Sequence, residues 1–281
     1  DVIERRRPQD GRIKTRRPDG VPGGGTEVEM RLSTLPTAFG EKVVMRILDN
    51  EKGVRSLEEV GVSPHLLKTI RRAIQEPYGI ILISGPTGSG KSTTLYAMLS
   101  EVDRLTKNVL SLEDPVEYNI SGVSQSQVRP EIGYTFANGL RSALRQDPDI
   151  IMVGEIRDKE TAQLAIQAAL TGHLVLSTIH TNSAIGVIPR LIDMGVDPYL
   201  IAPTLKLAIA QRLARRVCPG TGKIETISSS TKYMMEETFK TLPKKYQERI
   251  PKQETMVLPE PAPGCTTGLK GRVAVMEAFE V

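Results

Sequence analysis

The sequence contains a segment that matches the pattern G-x-x-x-x-G-K-[ST] in full: Gly85, Pro86, Thr87, Gly88, Ser89, Gly90, Lys91, Ser92 and Thr93. It follows the apolar run 80–83 and precedes a stretch with helical periodicity. In such a loop the glycines let backbone N–H groups turn toward a phosphate, and the lysine adds a positive charge. This segment, here called the phosphate loop, predicts binding of a nucleoside triphosphate, with Ser92 as a ligand of Mg²⁺.

Carboxylates follow two predicted strands downstream of the phosphate loop. Glu113 and Glu117 come after the first of them, and Glu155 after the second. Hydrolysis of a phosphoanhydride needs Mg²⁺, a carboxylate that positions or deprotonates water, and cations on the γ-phosphate. Glu155 suits a magnesium carboxylate, acting directly or through water, or the catalytic carboxylate. Either Glu113 or Glu117 can polarise the attacking water.

Histidines and arginines accompany these carboxylates. His173 and His180 frame a third predicted strand, and Arg141 and Arg157 lie near the second. His180 can sense the γ-phosphate, and either arginine can supply charge to the transition state. Taken singly, a carboxylate after a strand is more often a helix cap, and a lone histidine is usually structural. Their recurrence at one edge of a predicted parallel sheet favours a shared site.

A β-hairpin is predicted near the N-terminus, where polar and apolar residues alternate over 28–33 and a strand-like run covers 43–48. Pairing that is symmetrical about Ala38 and Phe39 places Arg31 opposite Arg46. Like charges directly opposite each other destabilise a sheet. The pair therefore favours a shared anionic partner, and a nucleotide phosphate is the obvious one.

The rest of the chain follows an α/β pattern, which predicts a parallel sheet with right-handed crossovers. Strands are expected at 79–84, 108–112, 149–154 and 173–179, and helices at 64–75, from 91, at 135–146, at 158–171 and, as a pair, over 184–217. A long loop over 113–134 is expected to be functional. A polar insertion over 219–264 precedes a strand-like segment, 272–279.

Composition limits the class of protein. The 281 residues carry a formal net charge of +4, with no Trp and only 4% aromatic residues, which argues against a coat or stacking platform for nucleic acid. Two cysteines predict no disulfide framework and a reduced, intracellular setting. No signal peptide or membrane-spanning apolar run is evident. The charged start and apolar end predict a piece of a longer protein.

These motifs resemble the secretion ATPase superfamily, the ring-forming motors of type II protein secretion and type IV pilus assembly. The resemblance covers nearly the whole chain: segments 4–12, 31–37 and 40–46, the phosphate loop (Walker A), 113–117 (the Asp box), 154–158 (Walker B), 171–173 with 180–182 (the His box), and 267–272. It implies a RecA-like P-loop NTPase core, with helices on both faces of a parallel sheet, preceded by part of a small α+β, PAS-like domain. The implied boundaries are 1–48 for the PAS-like part, 49–56 for a linker, 57–217 for the core and 218–281 for an incomplete C-terminal insertion.

The resemblance also implies a homo-hexamer that hydrolyses ATP with Mg²⁺ to drive type IV pilus assembly or type II secretion. ATP would lie between the two domains, and the arginines implied to reach phosphate, in cis or from a neighbour, are Arg31, Arg46, Arg141 and Arg157. The implied partners are an inner-membrane platform protein and other pilus or secretion machinery, with no direct nucleic acid. The implied location is cytoplasmic, peripheral at the inner face of the cytoplasmic membrane.

Further features of the sequence bear on zinc binding and on other classes of nucleotide-binding protein. Members of the family often carry a four-cysteine zinc module, but Cys218 and Cys265 cannot close such a site, so zinc is not expected. The basic first twenty residues suggest a nucleic-acid motor of the RecA or conjugation type, which the modest net charge disfavours. A GTPase would need an N-K-x-D motif, and a small-molecule kinase would need a substrate lid; the sequence shows neither.

Overall fold

A computed structural model of the chain describes residues 4–16, 18, 25, 27–48, 54–248, 250 and 253–281. The chain divides into two compact units, one formed by Asp1–Arg212 with Met276–Val281 and the other by Leu213–Val275. Most of the predicted linker, residues 49–53, lies outside the described residues.

The first unit begins with a three-stranded antiparallel sheet in the order β1-β2-β3. Its strands are β1 (Gln9–Arg16), β2 (Glu27–Thr37) and β3 (Gly40–Leu48). The predicted hairpin is confirmed, because β2 and β3 pair around Ala38 and Phe39 with Arg31 directly opposite Arg46. The assumed pairing, symmetrical about this turn, is therefore the observed one.

A parallel sheet follows, whose neighbouring strands run in the order β9-β4-β8-β7-β5-β6. The strands are β4 (Gly79–Ser84), β5 (Val109–Glu113), β6 (Ser124–Gln127), β7 (Ile150–Val153), β8 (Leu174–Ile179) and β9 (Leu205–Val217). Every residue of β4, β7 and β8 is buried, as expected for strands covered on both faces. The four strands predicted over 79–179 are therefore confirmed.

The helices of this unit are α1 (Leu57–Val60), α2 (Pro64–Ala73), α3 (Lys91–Glu101), α4 (Phe136–Ala143), α5 (Lys159–Leu170), α6 (Val187–Asp193) and α7 (Pro198–Thr204). Local sequence explains several starts: Ser63 caps α2 ahead of a proline, and Asp158 caps α5. Among the described residues, no helix is both long and apolar enough to span a bilayer.

Two predicted elements were wrong. The second helix expected within 184–217 is instead the strand β9 over 205–217, which pairs with β4. Its first residues are buried on both sides, so they form a nearly continuous apolar run that does not distinguish helix from strand. The predicted loop over 113–134 also contains the edge strand β6, whose sequence Ser-Gln-Ser-Gln has no apolar signal.

The second unit contains the insertion. Its elements are β10 (Lys223–Thr226), α8 (Ser229–Phe239), α9 (Lys244–Gln247), β11 (Thr255–Leu258) and the first part of β12 (Leu269–Glu280). Cys218 and Cys265 form a disulfide across 47 residues, which contradicts the expectation of reduced cysteines. The segments that flank the insertion return to each other, since the N–H of Cys218 donates to the Gly268 carbonyl at 3.0 Å. The composition of the insertion does not predict that its two flanking segments are hydrogen-bonded to each other.

Candidate active site

The phosphate loop connects β4 to α3. A Cβ at Gly85, where φ is +141°, would lie 2.4 Å from the Gln211 carbonyl oxygen, so only glycine fits there. Gly90 has φ of +87° and precedes the first residue of α3. The first N–H groups of α3 lack intrahelical partners and carry the positive end of the helix dipole. The loop therefore presents backbone donors to an anion.

The side chain of Gln211, on β9, holds the phosphate loop by hydrogen bonds. It is buried, its Nε2 donates to the Ser89 carbonyl at 2.8 Å, and its Oε1 accepts from the Thr94 hydroxyl at 2.7 Å. The loop is thus tied both to α3 and to the neighbouring strand. Sequence reasoning missed Gln211 because its segment was predicted to be helical.

Lys91 is 9% exposed and folds back over the loop, where its Nζ donates to the carbonyls of Gly85 at 2.8 Å and Pro86 at 3.1 Å. Burial lowers the pKa of Lys91, and the nearby Glu155 carboxylate opposes that shift. The ammonium is therefore held in the loop by neutral carbonyl oxygens. A phosphate would offer it a stronger, charged partner.

The loop and Glu155 also carry groups of the kind that a phosphate and Mg²⁺ would need. The Ser89 hydroxyl is buried and has no hydrogen-bond partner among the described residues, which leaves one loop donor unsatisfied there. Ser92 is exposed at the first turn of α3. Its hydroxyl, with the Glu155 carboxylate, supplies the hard oxygen donors that suit Mg²⁺, an ion that keeps several waters and phosphate oxygens as ligands.

Glu155 is the centre of a second group of side chains, at the carboxyl ends of β7 and β8. Its Oε2 lies 2.5 Å from Nε of Arg157 and 3.7 Å from Nε2 of His180. The two strand ends are joined, because Thr178 donates its hydroxyl proton to the Gly154 carbonyl at 2.7 Å. Burial and the charge of Lys91 lower the pKa of His180, and the Glu155 carboxylate opposes that shift.

The two glutamates of the Asp box have different surroundings. Glu113 is 3% exposed and accepts hydrogen bonds from three side chains: Ser111 at 2.5 Å, Gln125 at 3.0 Å and the Tyr96 hydroxyl. The Glu117 side chain is 29% exposed and forms an ion pair with Arg31. Glu113 is therefore enclosed by protein donors, whereas Glu117 retains access to solvent.

The N-terminal sheet contributes the partner of Glu117. Arg31 Nη1 lies 3.2 Å from the Glu117 carboxylate, and its Nη2 donates to the Val116 carbonyl at 3.2 Å. Arg46 and Arg12 flank Arg31 in register on β3 and β1. Like charges at directly opposite positions are unfavourable, and the Glu117 carboxylate offsets the charge of Arg31 in this row, while Arg12 Nη2 donates to the Gln127 side chain at 2.5 Å. Sequence reasoning did not include Arg12 in this row.

Arg141 and His173 have other partners in the chain. Arg141 pairs with Glu160 of α5 and donates to the Asn138 side chain at 3.1 Å. His173 precedes β8, at the opposite end of that strand from His180, and its Nδ1 lies 2.9 Å from the Ala168 carbonyl oxygen at the end of α5. The structure therefore does not bring His173 into the cluster with His180.

The full chain, residues 1–281, matches the sequence profile of the family described as Type II/IV secretion system protein. The chain belongs to this family. It is 51% identical to Type II secretion system protein E of Klebsiella pneumoniae over 236 residues, which are 84% of this chain and 46% of that protein. It is 53% identical to Type IV pilus assembly ATPase PilB of Myxococcus xanthus (strain DK1622) over 223 residues, 79% of this chain and 38% of that protein. The chain spans about half the length of the curated relatives it matches.

Solved structures support the fold. The ATPase DotB of Legionella pneumophila has a TM-score of 0.60 and 29% identity, covering 74% of this chain and 58% of its own. The pilus retraction motor PilT, with bound ADP, has a TM-score of 0.61 and 29% identity, covering 86% and 71%. The predicted family and the α/β P-loop ATPase fold are confirmed. The PAS-like assignment and the domain boundaries stay predictions.

Proposed function

We propose that this chain is the ATP-hydrolysing part of a motor that drives type II protein secretion or type IV pilus assembly at the inner membrane. The observation that carries the proposal is the contact of Arg31, on the N-terminal sheet, with Glu117 in the loop beside the parallel sheet. This contact links a carboxylate suited to act on water to the N-terminal sheet. Hydrolysis can therefore be coupled to movement of that sheet.

The residues have distinct parts in the proposed reaction. The phosphate loop and Lys91 hold the phosphates of ATP, and Glu117 takes a proton from water as its oxygen attacks the γ-phosphorus. The bond to the bridging oxygen breaks, and ADP and phosphate leave. Arg31 and Arg157 offset the charge on the phosphoryl oxygens. Mg²⁺, held by Ser92 and by Glu155 directly or through water, would neutralise charge on the β- and γ-phosphates.

The proposed assembly is a homo-hexamer at the inner face of the cytoplasmic membrane. Arg46 and Arg141 then reach phosphate either within one subunit or from a neighbour. Release of products lets Arg31 leave Glu117 and the N-terminal sheet move, and the movement is passed to an inner-membrane platform protein of the secretion or pilus machinery. ATPase activity that depends on DNA would instead favour a nucleic-acid motor.

Arg31→Gln is expected to lower kcat for ATP hydrolysis about 10- to 100-fold, because one developing charge loses its cation. Phosphate release measured in the presence of Mg²⁺ checks this, with Arg46→Gln alongside it. Arg6→Gln is a suitable control, since Arg6 is exposed and its ion pair is with the nearby Glu4. Wild-type turnover in both Arg31→Gln and Arg46→Gln would contradict a role for the hairpin in catalysis.

Activity per subunit is expected to rise with protein concentration, because sites completed by a neighbouring subunit exist only in the ring. Turnover and molar mass measured over the same dilution series check this prediction. The midpoints of the two curves should coincide. Turnover per subunit that stays constant down to a clear monomer would exclude a ring requirement.

A further inference from the structure

Tyr96 lies one turn beyond the start of α3 and has no part in the reaction described above. The residue is 3% exposed, and its ring packs edge-on against Tyr118 with the centroids 5.4 Å apart. The apolar part of such a residue contributes to packing, but a buried hydroxyl also needs hydrogen-bond partners.

The Tyr96 hydroxyl has partners on both sides of the Asp box. It donates to the Glu113 carboxylate and accepts from the backbone N–H of Glu117 at 2.9 Å; the N–H of Tyr118 lies at 3.4 Å. Burial and Glu113 raise the pKa of Tyr96, so the hydroxyl keeps the proton that it donates. The hydroxyl can donate one hydrogen bond and accept two, and all of these partners belong to the Asp box or to the residue that follows it.

The hydroxyl is itself held in place by Glu113. That carboxylate is fixed by Ser111, which precedes it on β5, and by Gln125 of β6. A carboxylate surrounded in this way cannot approach a nucleotide without losing several hydrogen bonds. Glu113 therefore suits the part of an anchor, and the group that it anchors is the hydroxyl that contacts the Glu117 backbone.

We propose that Tyr96 is a positioning residue, which sets the distance between the Glu117 backbone and the phosphate loop. The same helix, α3, contains Lys91 and Ser92 at its start and Tyr96 one turn later. One rigid helix therefore positions both the groups that would bind the nucleotide and the backbone of Glu117. Through the Glu117 carboxylate the connection extends to Arg31. This inference rests on the proposed function, because it assigns Glu117 to the attacking water.

The direct test is Tyr96→Phe, which keeps the ring and removes only the hydroxyl. We expect kcat for ATP hydrolysis to fall about 10-fold while KM for ATP stays within about twofold of wild type, because misplacing the group that acts on water affects the transition state and not nucleotide binding. Tyr118→Phe is the matched control. It removes a hydroxyl from the other ring of the pair and is expected to retain wild-type kcat.

The two substitutions are then compared in a Glu117→Gln background under single-turnover conditions. If Tyr96 acts through Glu117, Tyr96→Phe changes the residual rate less than twofold there. A similar fall in kcat in both backgrounds, a rise in KM without a change in kcat, or equal losses in Tyr96→Phe and Tyr118→Phe would overturn the inference. Absence of ATP hydrolysis by the wild-type protein would instead contradict the proposed function.

Discussion

Glu155→Gln is expected to lower kcat for ATP hydrolysis about 1000-fold while ATP binding stays within a few-fold of wild type. Glutamine keeps the shape of the side chain but removes the charge that faces Arg157, His180 and Lys91. In a partly enclosed site, charge that acts on the transition state has its largest effect on kcat. Steady-state phosphate release and binding of a fluorescent ATP analogue measure the two quantities separately.

The control for this experiment is Glu58→Gln. Glu58 is an exposed glutamate whose ion pair is with Arg71, and surface pairs of this kind contribute little. It is expected to retain wild-type turnover. A Glu155→Gln protein with wild-type activity would exclude Glu155 from catalysis and with it the assignment of this strand end to the active site.

Lys91→Ala is expected to weaken ATP binding about 30- to 140-fold and to abolish measurable turnover. The lysine is already placed over the loop by the Gly85 and Pro86 carbonyls, so little ordering is needed when a phosphate replaces them. Loss of this charge-assisted contact is worth about 2–3 kcal/mol, and each 1.4 kcal/mol is tenfold in affinity. Titration of a fluorescent ATP analogue gives the dissociation constant.

Lys68→Ala serves as the control for Lys91→Ala, because Lys68 is exposed on α2. Its affinity for ATP should match that of the wild type. The thermal midpoint of Lys91→Ala, measured alongside, shows whether loss of the hydrogen bonds to the Gly85 and Pro86 carbonyls also lowers stability. Unchanged affinity in Lys91→Ala would show that the phosphate loop is not the nucleotide site.

The parts of the fold that could be predicted are those with a local signal. The apolar runs of β4, β7 and β8 lie between polar segments, and the alternation in β2 predicted the hairpin, whose observed register matches the assumed symmetry about the turn. β9 could not be assigned, because a strand buried on both faces has no alternation to separate it from a helix. The disulfide between Cys218 and Cys265 depends on contacts distant in sequence, which no local pattern encodes.

The candidate site divides in the same way. The phosphate loop follows from its pattern, but sequence does not separate Glu113 from Glu117, because burial and partners differ only in three dimensions. His173 and His180 stand at opposite ends of β8, roughly 20 Å apart at about 3.3 Å per residue, although both lie within one motif. Tyr96 and Gln211 belong to no sequence motif that predicts a role, and only their hydrogen bonds in the structure connect them to the candidate site.

The central claim is that an arginine of the N-terminal sheet and a carboxylate beside the parallel sheet act together on ATP. A double-mutant cycle in kcat tests this claim most directly. It compares the wild type, Arg31→Gln, Glu117→Gln and the double variant. If the contact at 3.2 Å belongs to the catalytic site, both single variants are slow, and the double variant is no more than about threefold slower than the slower single one. Wild-type rates in either single variant, or losses that multiply in the double variant, would contradict the account.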